Sequence, residues 1–181
     1  MIGYKKLLFV TFLSIGGLVS CGMDDKTSSV NSTSQSISTS LPSENVFDES
    51  ITEKERLILE KMATGEFTKT SLTTSDSINT RYEVKEGMKV VTYIYKGVAK
   101  AEEYTSFDVY VGIDAETKKI VSLEYDGQIT SHGKDDEFKN NDLGLVGTDG
   151  KEIETVTGAS VSSQAIKKVV DESLAHLTVD A

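Results

Sequence analysis

The residues best suited to chemistry lie near the C-terminus, in Glu154-Thr155-Val156-Thr157-Gly158-Ala159-Ser160-Val161-Ser162-Ser163. This hydroxyl-rich glycine turn feeds a run in which Ala165, Ile166, Val169, Val170, Leu174 and Leu177 fall on one helical face. The first N–H groups of a helix have no internal partner and the helix dipole is positive at that end, so the junction is suited to holding an anion. Gly158 and Ala159 let the anion approach the backbone closely, and Thr157, Ser160, Ser162 and Ser163 add hydroxyl donors. The same residues also suit a plain helix start, with Ser162 or Ser163 as the cap and Gly158 as the turn. Spacing alone weighs the two readings equally.

Whatever this turn binds must be positioned by the elements before it, and there the hydrophobic period is two. Val90, Val91, Tyr93 and Ile94 mark a strand in Lys89 to Tyr95. Phe107, Val109, Val111 and Ile113 alternate with Ser106, Asp108, Tyr110 and Gly112, and Val121, Leu123 and Tyr125 alternate with Ser122 and Glu124. The polar turn Asp114-Ala115-Glu116-Thr117-Lys118 between the last two predicts an antiparallel hairpin with one face buried. Ser50-Ile51-Thr52-Glu53 has capping-box spacing, and Ile51, Leu57, Ile58 and Met62 recur at helical spacing up to a stop at Gly65. Phe67 to Thr80 shows no clear period. Thr130 to Gly150, rich in Asp, Asn, Gly and Lys, reads either as a solvated connector or as part of a neighbouring site. His132 stands there without a second histidine or a cysteine, so it is assigned no role and no metal is expected. The fold class that follows is α+β: a small antiparallel sheet packed against the C-terminal helix, with an additional N-terminal helix.

At the other end of the chain, Lys5 and Lys6 precede an apolar run from Leu7 to Val19, short for a permanent membrane helix, which reads as a signal peptide. It ends in Leu18-Val19-Ser20-Cys21, which resembles the bacterial lipobox, and Cys21 is the single cysteine of the chain. That resemblance implies a cysteine that becomes the new N-terminus and carries acyl chains such as palmitate, anchoring the protein at the extracytoplasmic face of the cell membrane. Residues 1–20 hold Lys5 and Lys6 and no acid, so their removal takes the formal charge from −10 to −12. Such a balance lacks the basic footprint of a nucleic-acid binder. One cysteine also leaves no internal disulfide, no Cys-x-x-Cys-His haem site and no ligand set for an iron–sulfur cluster. Residues 21–48 are dominated by Ser, Thr, Asn and Gln and read as a disordered tether spanning about 25 to 30 Å. The expected organisation is therefore signal peptide over 1–20, tether over 21–48, a helix and irregular lead-in over 49–88, and the principal domain over 89–181.

The order of a hairpin, a variable loop and Thr157-Gly158-Ala159-Ser160 before an amphipathic helix resembles the FMN-binding domain of Rnf/Nqr-type redox complexes and of surface electron-transfer lipoproteins. The resemblance covers roughly Lys89 to Leu177 and includes a Tyr95-Lys96-Gly97 turn and the Val111-Gly112-Ile113-Asp114 strand end. In that family an acidic residue, two variable positions, Ser or Thr, Gly and Ala lead to an acceptor hydroxyl that a separate flavin transferase esterifies to the FMN phosphate. Carried over, Glu154 takes the acidic position, Thr157 the Ser/Thr position, Gly158 and Ala159 match, and Ser160 is the acceptor. Glu154 stands for the usual Asp and Ser160 for the usual Thr, while Thr130-Ser131-His132-Gly133-Lys134 replaces the family's Glu-Thr-Pro-Gly-like run.

The resemblance implies FMN as cofactor, held at Glu154, Thr157, Gly158, Ala159, Ser160, Ser162 and Ser163, with no catalytic residue of the chain's own. It implies an electron-transfer flavoprotein more than a substrate-converting enzyme, since the reactive chemistry belongs to the flavin. The expected partners are the membrane through Cys21, the flavin transferase, and redox proteins or a soluble electron acceptor. A different class stays open from the residues alone: a surface lipoprotein without flavin that binds a ligand or partner through the same domain.

Overall fold

The computed structural model describes residues 44–73, 75–101, 105–139 and 142–179. The expected signal segment and the lipidation candidate Cys21 lie outside them. The described residues belong to one compact unit.

Six strands form one sheet in the order of the chain: β1 (Val46–Phe47), β2 (Glu66–Ser71), β3 (Ile78–Glu86), β4 (Lys89–Ala101), β5 (Thr105–Asp114) and β6 (Ile120–Asp126). From β2 onward every neighbour is antiparallel, while β1 pairs parallel with β2 because helix α1 (Glu53–Met62) carries the chain between them. The expected hairpin is present, with Val111 opposite Leu123 and Val109 opposite Tyr125.

Three expectations are corrected upstream. The residues assigned to a tether end sooner, for Val46 and Phe47 already pair in the sheet and the Phe47 ring stacks on Phe67 at 4.7 Å. The irregular lead-in holds two strands: Ile78, Thr80, Tyr82 and Val84 are buried while Asn79, Arg81, Glu83 and Lys85 are not, which is the two-residue period of a half-buried strand. Tyr95-Lys96-Gly97 is the middle of β4 and makes no turn. Gly97 is there because the sheet and the last helix meet over it. A Cβ added at Gly97 would lie 2.6 Å from Val169 Cγ1 and 2.7 Å from the Ser77 carbonyl oxygen.

The cap of α1 also falls two residues later than expected. Thr52 Oγ1 accepts from the Glu55 N–H at 3.4 Å and the Glu55 carboxylate accepts from the Thr52 N–H at 2.9 Å. The Ser/Thr-x-x-Glu spacing occurs twice here, from Ser50 and from Thr52, and the second is selected because Glu55 also meets partners beneath it. Lys69 Nζ lies 2.9 Å from Glu55 Oε2, and the Tyr82 hydroxyl donates to Oε1 at 2.7 Å. The amide of Ser50 instead donates to Asp48.

Helices cover both faces. On one, α1 places Ile58, Leu59 and Met62 against Phe67, Tyr82, Val84, Ile94 and Tyr110. On the other, α3 (Ser160–Val179) buries Ile166, Val169, Val170 and Leu177 against Ile78, Tyr95, Val109, Val111 and Ile113. Strand β5, next to the edge strand β6, is thus buried on both sides rather than one, which is why Tyr110 interleaves with valines. The chain between β6 and α3 is no solvated connector. It carries the short helix α2 (Asp135–Lys139) and sends Ile129, Phe138, Leu143 and Leu145 into the α3-side core.

Candidate functional site

The turn before α3 is built by one hydroxyl and one glycine. Ser163 Oγ accepts from the Val156 N–H at 3.2 Å and donates to the Ala159 carbonyl at 3.2 Å, which ties both ends of the turn together. The Ala159 N–H closes on the Val156 carbonyl at 2.9 Å, and the Ser163 N–H makes the first helical bond to Ala159. Between them Gly158 has φ +79°, a left-handed conformation that residues with a Cβ adopt at a cost. This arrangement leaves Ser160 exposed as the first residue of α3, while Ser163 is wholly buried.

A second wall comes from the loop after β6. Asp135 accepts from the Ile129 N–H, the Thr130 N–H and the Thr130 hydroxyl at 3.3, 2.8 and 3.1 Å, and Thr130 Oγ1 in turn accepts from the Lys134 N–H at 2.9 Å. The buried Ser162 hydroxyl donates to the Ile129 carbonyl at 2.8 Å and pins this loop to the start of α3. The Lys134 ammonium donates to the Thr157 carbonyl, joining loop and turn at their outer rim.

Between the walls lies a cleft of about 220 Å³, lined by Thr130, Ser131 and His132 from the loop, by residues 158–162 from the turn and helix start, and by Ala101 from the end of β4. Of the sequence-predicted residues, Gly158, Ala159, Ser160 and Ser162 come together here. Ser163 stands behind them and holds the turn. Thr157 is exposed and engages Lys134 through its carbonyl. Glu154 is not in the cleft. Its N–H donates to the Leu143 carbonyl at 2.9 Å, and its exposed side chain lines a second depression beside Gly144, Thr148 and Lys151.

His132, Ser131 and Thr130 are lining residues that spacing did not assign. The signal available was the position of their loop, next in the chain to a hairpin that ends beside the site. Nothing in a lone histidine marks it as facing a ligand.

The chemistry of the lining suits a phosphate. Residues at the start of α3, the positive end of a 20-residue helix whose first amides have no partner within it, line the cleft together with Ser131, and no Asp or Glu lines the described wall. Residues 104–175 match the family model described as the FMN-binding domain. The chain carries an FMN-binding domain. FMN is its cofactor, and the matched span contains the whole of the loop, the turn and the start of α3 that shape the cleft. No curated protein matches the chain.

The FMN-binding domain also limits how the cofactor can sit. Pockets that enclose a drug-sized ligand run to roughly 300–1,000 Å³. A cleft of about 220 Å³ has room for part of FMN, and its lining suits the phosphate end. The sheet of the matched domain continues through β4, β3 and β2 to β1, all before position 104, so the flavin domain shares its sheet with the strands that precede it.

Proposed function

We propose that this chain is a membrane-anchored, extracytoplasmic flavoprotein that carries FMN esterified to the Ser160 hydroxyl and relays electrons. One observation carries the reading. Of the three serines at the start of α3, Ser162 and Ser163 spend their hydroxyls on the fold, and Ser160 alone is exposed, in the first helical position where a phosphate meets the free amides. Esterification joins Ser160 Oγ to the flavin-side phosphorus of a flavin dinucleotide as that phosphorus loses its bond to the adenosine phosphate; AMP leaves, the hydroxyl proton passes to solvent, and a separate flavin transferase is the agent. Glu154 and Thr155 are exposed beside the turn and remain accessible to that enzyme.

FMN supplies the redox chemistry when bound, and the chain's own residues hold its phosphate and set its position. A cleft too small to enclose the cofactor favours a surface-exposed flavin, which suits exchange with large or insoluble partners better than catalysis on an enclosed substrate. Acylation of Cys21 would place the domain outside the membrane, within reach of a membrane reductase on one side and a soluble acceptor on the other.

The reading is tested on the chain isolated from cells that contain a flavin transferase. The reduced, flavin-loaded chain should be reoxidised by a soluble ferric chelate within seconds, and Cys21→Ser should move the loaded protein from the membrane to the soluble fraction. A flavin that stays reduced would refute the relay, and a membrane-bound Cys21→Ser chain would refute the anchor.

A further inference from the structure

A cation stands beside the cleft that no motif in the sequence announces. The Lys134 ammonium donates to the Thr157 carbonyl, and a Cβ built on Gly158 would meet Lys134 Nζ at 3.5 Å, so the charge lies against the turn that leads to Ser160. Its backbone is held in place, because the Lys134 N–H donates to Thr130 Oγ1 and Thr130 is fixed by Asp135. Glu137 Oε1 is 3.8 Å from the ammonium and more than half exposed, so this pair is long and weakened by water. The surroundings are unusual for this chain. It has 29 acids against 19 lysines and arginines, yet the described lining of the cleft contains no carboxylate.

We propose that Lys134 is the residue that reads the cofactor's phosphate, pairing with it at the rim of the cleft and so selecting a phosphorylated flavin over an unphosphorylated one. The inference rests on the FMN-carrier reading above. An ammonium has three donors, and the Thr157 carbonyl takes one, which both anchors the side chain and leaves donors for an oxyanion. A free flavin phosphate carries about −1.5 to −2 charges at pH 7, whereas riboflavin carries none there. Lys134 and the helix amides together supply the positive field that distinguishes the two.

The test uses the full chain made without flavin transferase, titrated with FMN and with riboflavin by flavin fluorescence. The wild-type chain should prefer FMN, Lys134→Gln should weaken FMN by about tenfold or more while leaving riboflavin unchanged, and Lys134→Arg should restore the preference. An unchanged FMN affinity in Lys134→Gln, or an equal loss for both flavins, would overturn the assignment and leave Lys134 as a brace for the turn. A wild-type chain that holds both flavins equally, or neither, would overturn it as well. The carrier function itself falls only if the transferase also fails to add the mass of an FMN ester to the wild-type chain.

Discussion

Three serines within four residues meet three different ends, and that division is the core of the site. Ser160 is exposed on the first turn of α3, Ser162 ties the neighbouring loop through the Ile129 carbonyl, and Ser163 closes the turn from within. The sequence shows a hydroxyl-rich segment but not which way each hydroxyl points. The helical period does hold the answer: Ser162 and Ser163 precede Ile166 and Val170 by three, four, seven or eight residues and so share the buried face, whereas Ser160 is turned away. Ser163→Ala leaves the buried Val156 N–H without its acceptor and should lower stability by about 1–3 kcal/mol, read as a fall in the denaturation midpoint. Gly158→Ala forces a Cβ into the left-handed conformation and should cost roughly 1–2 kcal/mol by the same measurement, with no clash from backbone to add to it. If Ser163→Ala were as stable as wild type, the tie across the turn would be ornamental.

At the scale of elements, the firmest expectation was the β5–β6 hairpin, whose alternation and polar turn are unambiguous. The amphipathic stripe of α3 was equally legible. What escaped was packing that alternation alone does not encode. The period of β3 is present in Ile78 to Val84, but the polar residues around it hid its start. Gly97 looked like a turn residue, yet it is a mid-strand glycine made necessary by the approach of Val169. Gly97→Ala should therefore destabilise the fold by about 1–3 kcal/mol and push α3 off the sheet; full stability in that variant would contradict the packing described.

The far face of the sheet makes its own prediction. Burial pushes the Glu55 carboxyl up, but hydrogen bonds from Lys69, the Thr52 N–H, Tyr82 and the Thr52 hydroxyl outweigh it and hold the pKa down to about 2. A carboxyl depressed in the folded state stabilises that state above its unfolded value near 4.5, and the gain is lost as the pH falls through 4.5 toward 2. Melting temperature should thus drop between pH 5 and pH 3 more steeply in the wild type than in Glu55→Gln. The variant should also be less stable at pH 7, by roughly 2–3 kcal/mol. Parallel pH profiles for the two proteins would show that the network does not fasten α1 to the sheet.

For the molecule as a whole, the sequence conveys an α+β unit with an FMN-binding domain in its C-terminal half, and both are present. The extent of the sheet is less visible, because β1 is two residues long and β2 shows no clear period, so that their pairing is what reveals them. The cleft lies open at the surface of the domain. The central claim is that Ser160 carries the cofactor, and intact mass tests it most directly. The chain is co-produced with a flavin transferase, and its mass and absorption spectrum are recorded before and after denaturation. The wild type should gain the mass of FMN less one water and keep its flavin band when unfolded, while Ser160→Ala should show neither. A flavin still covalently attached in Ser160→Ala, or a wild-type band lost on unfolding with no mass gained, would contradict it.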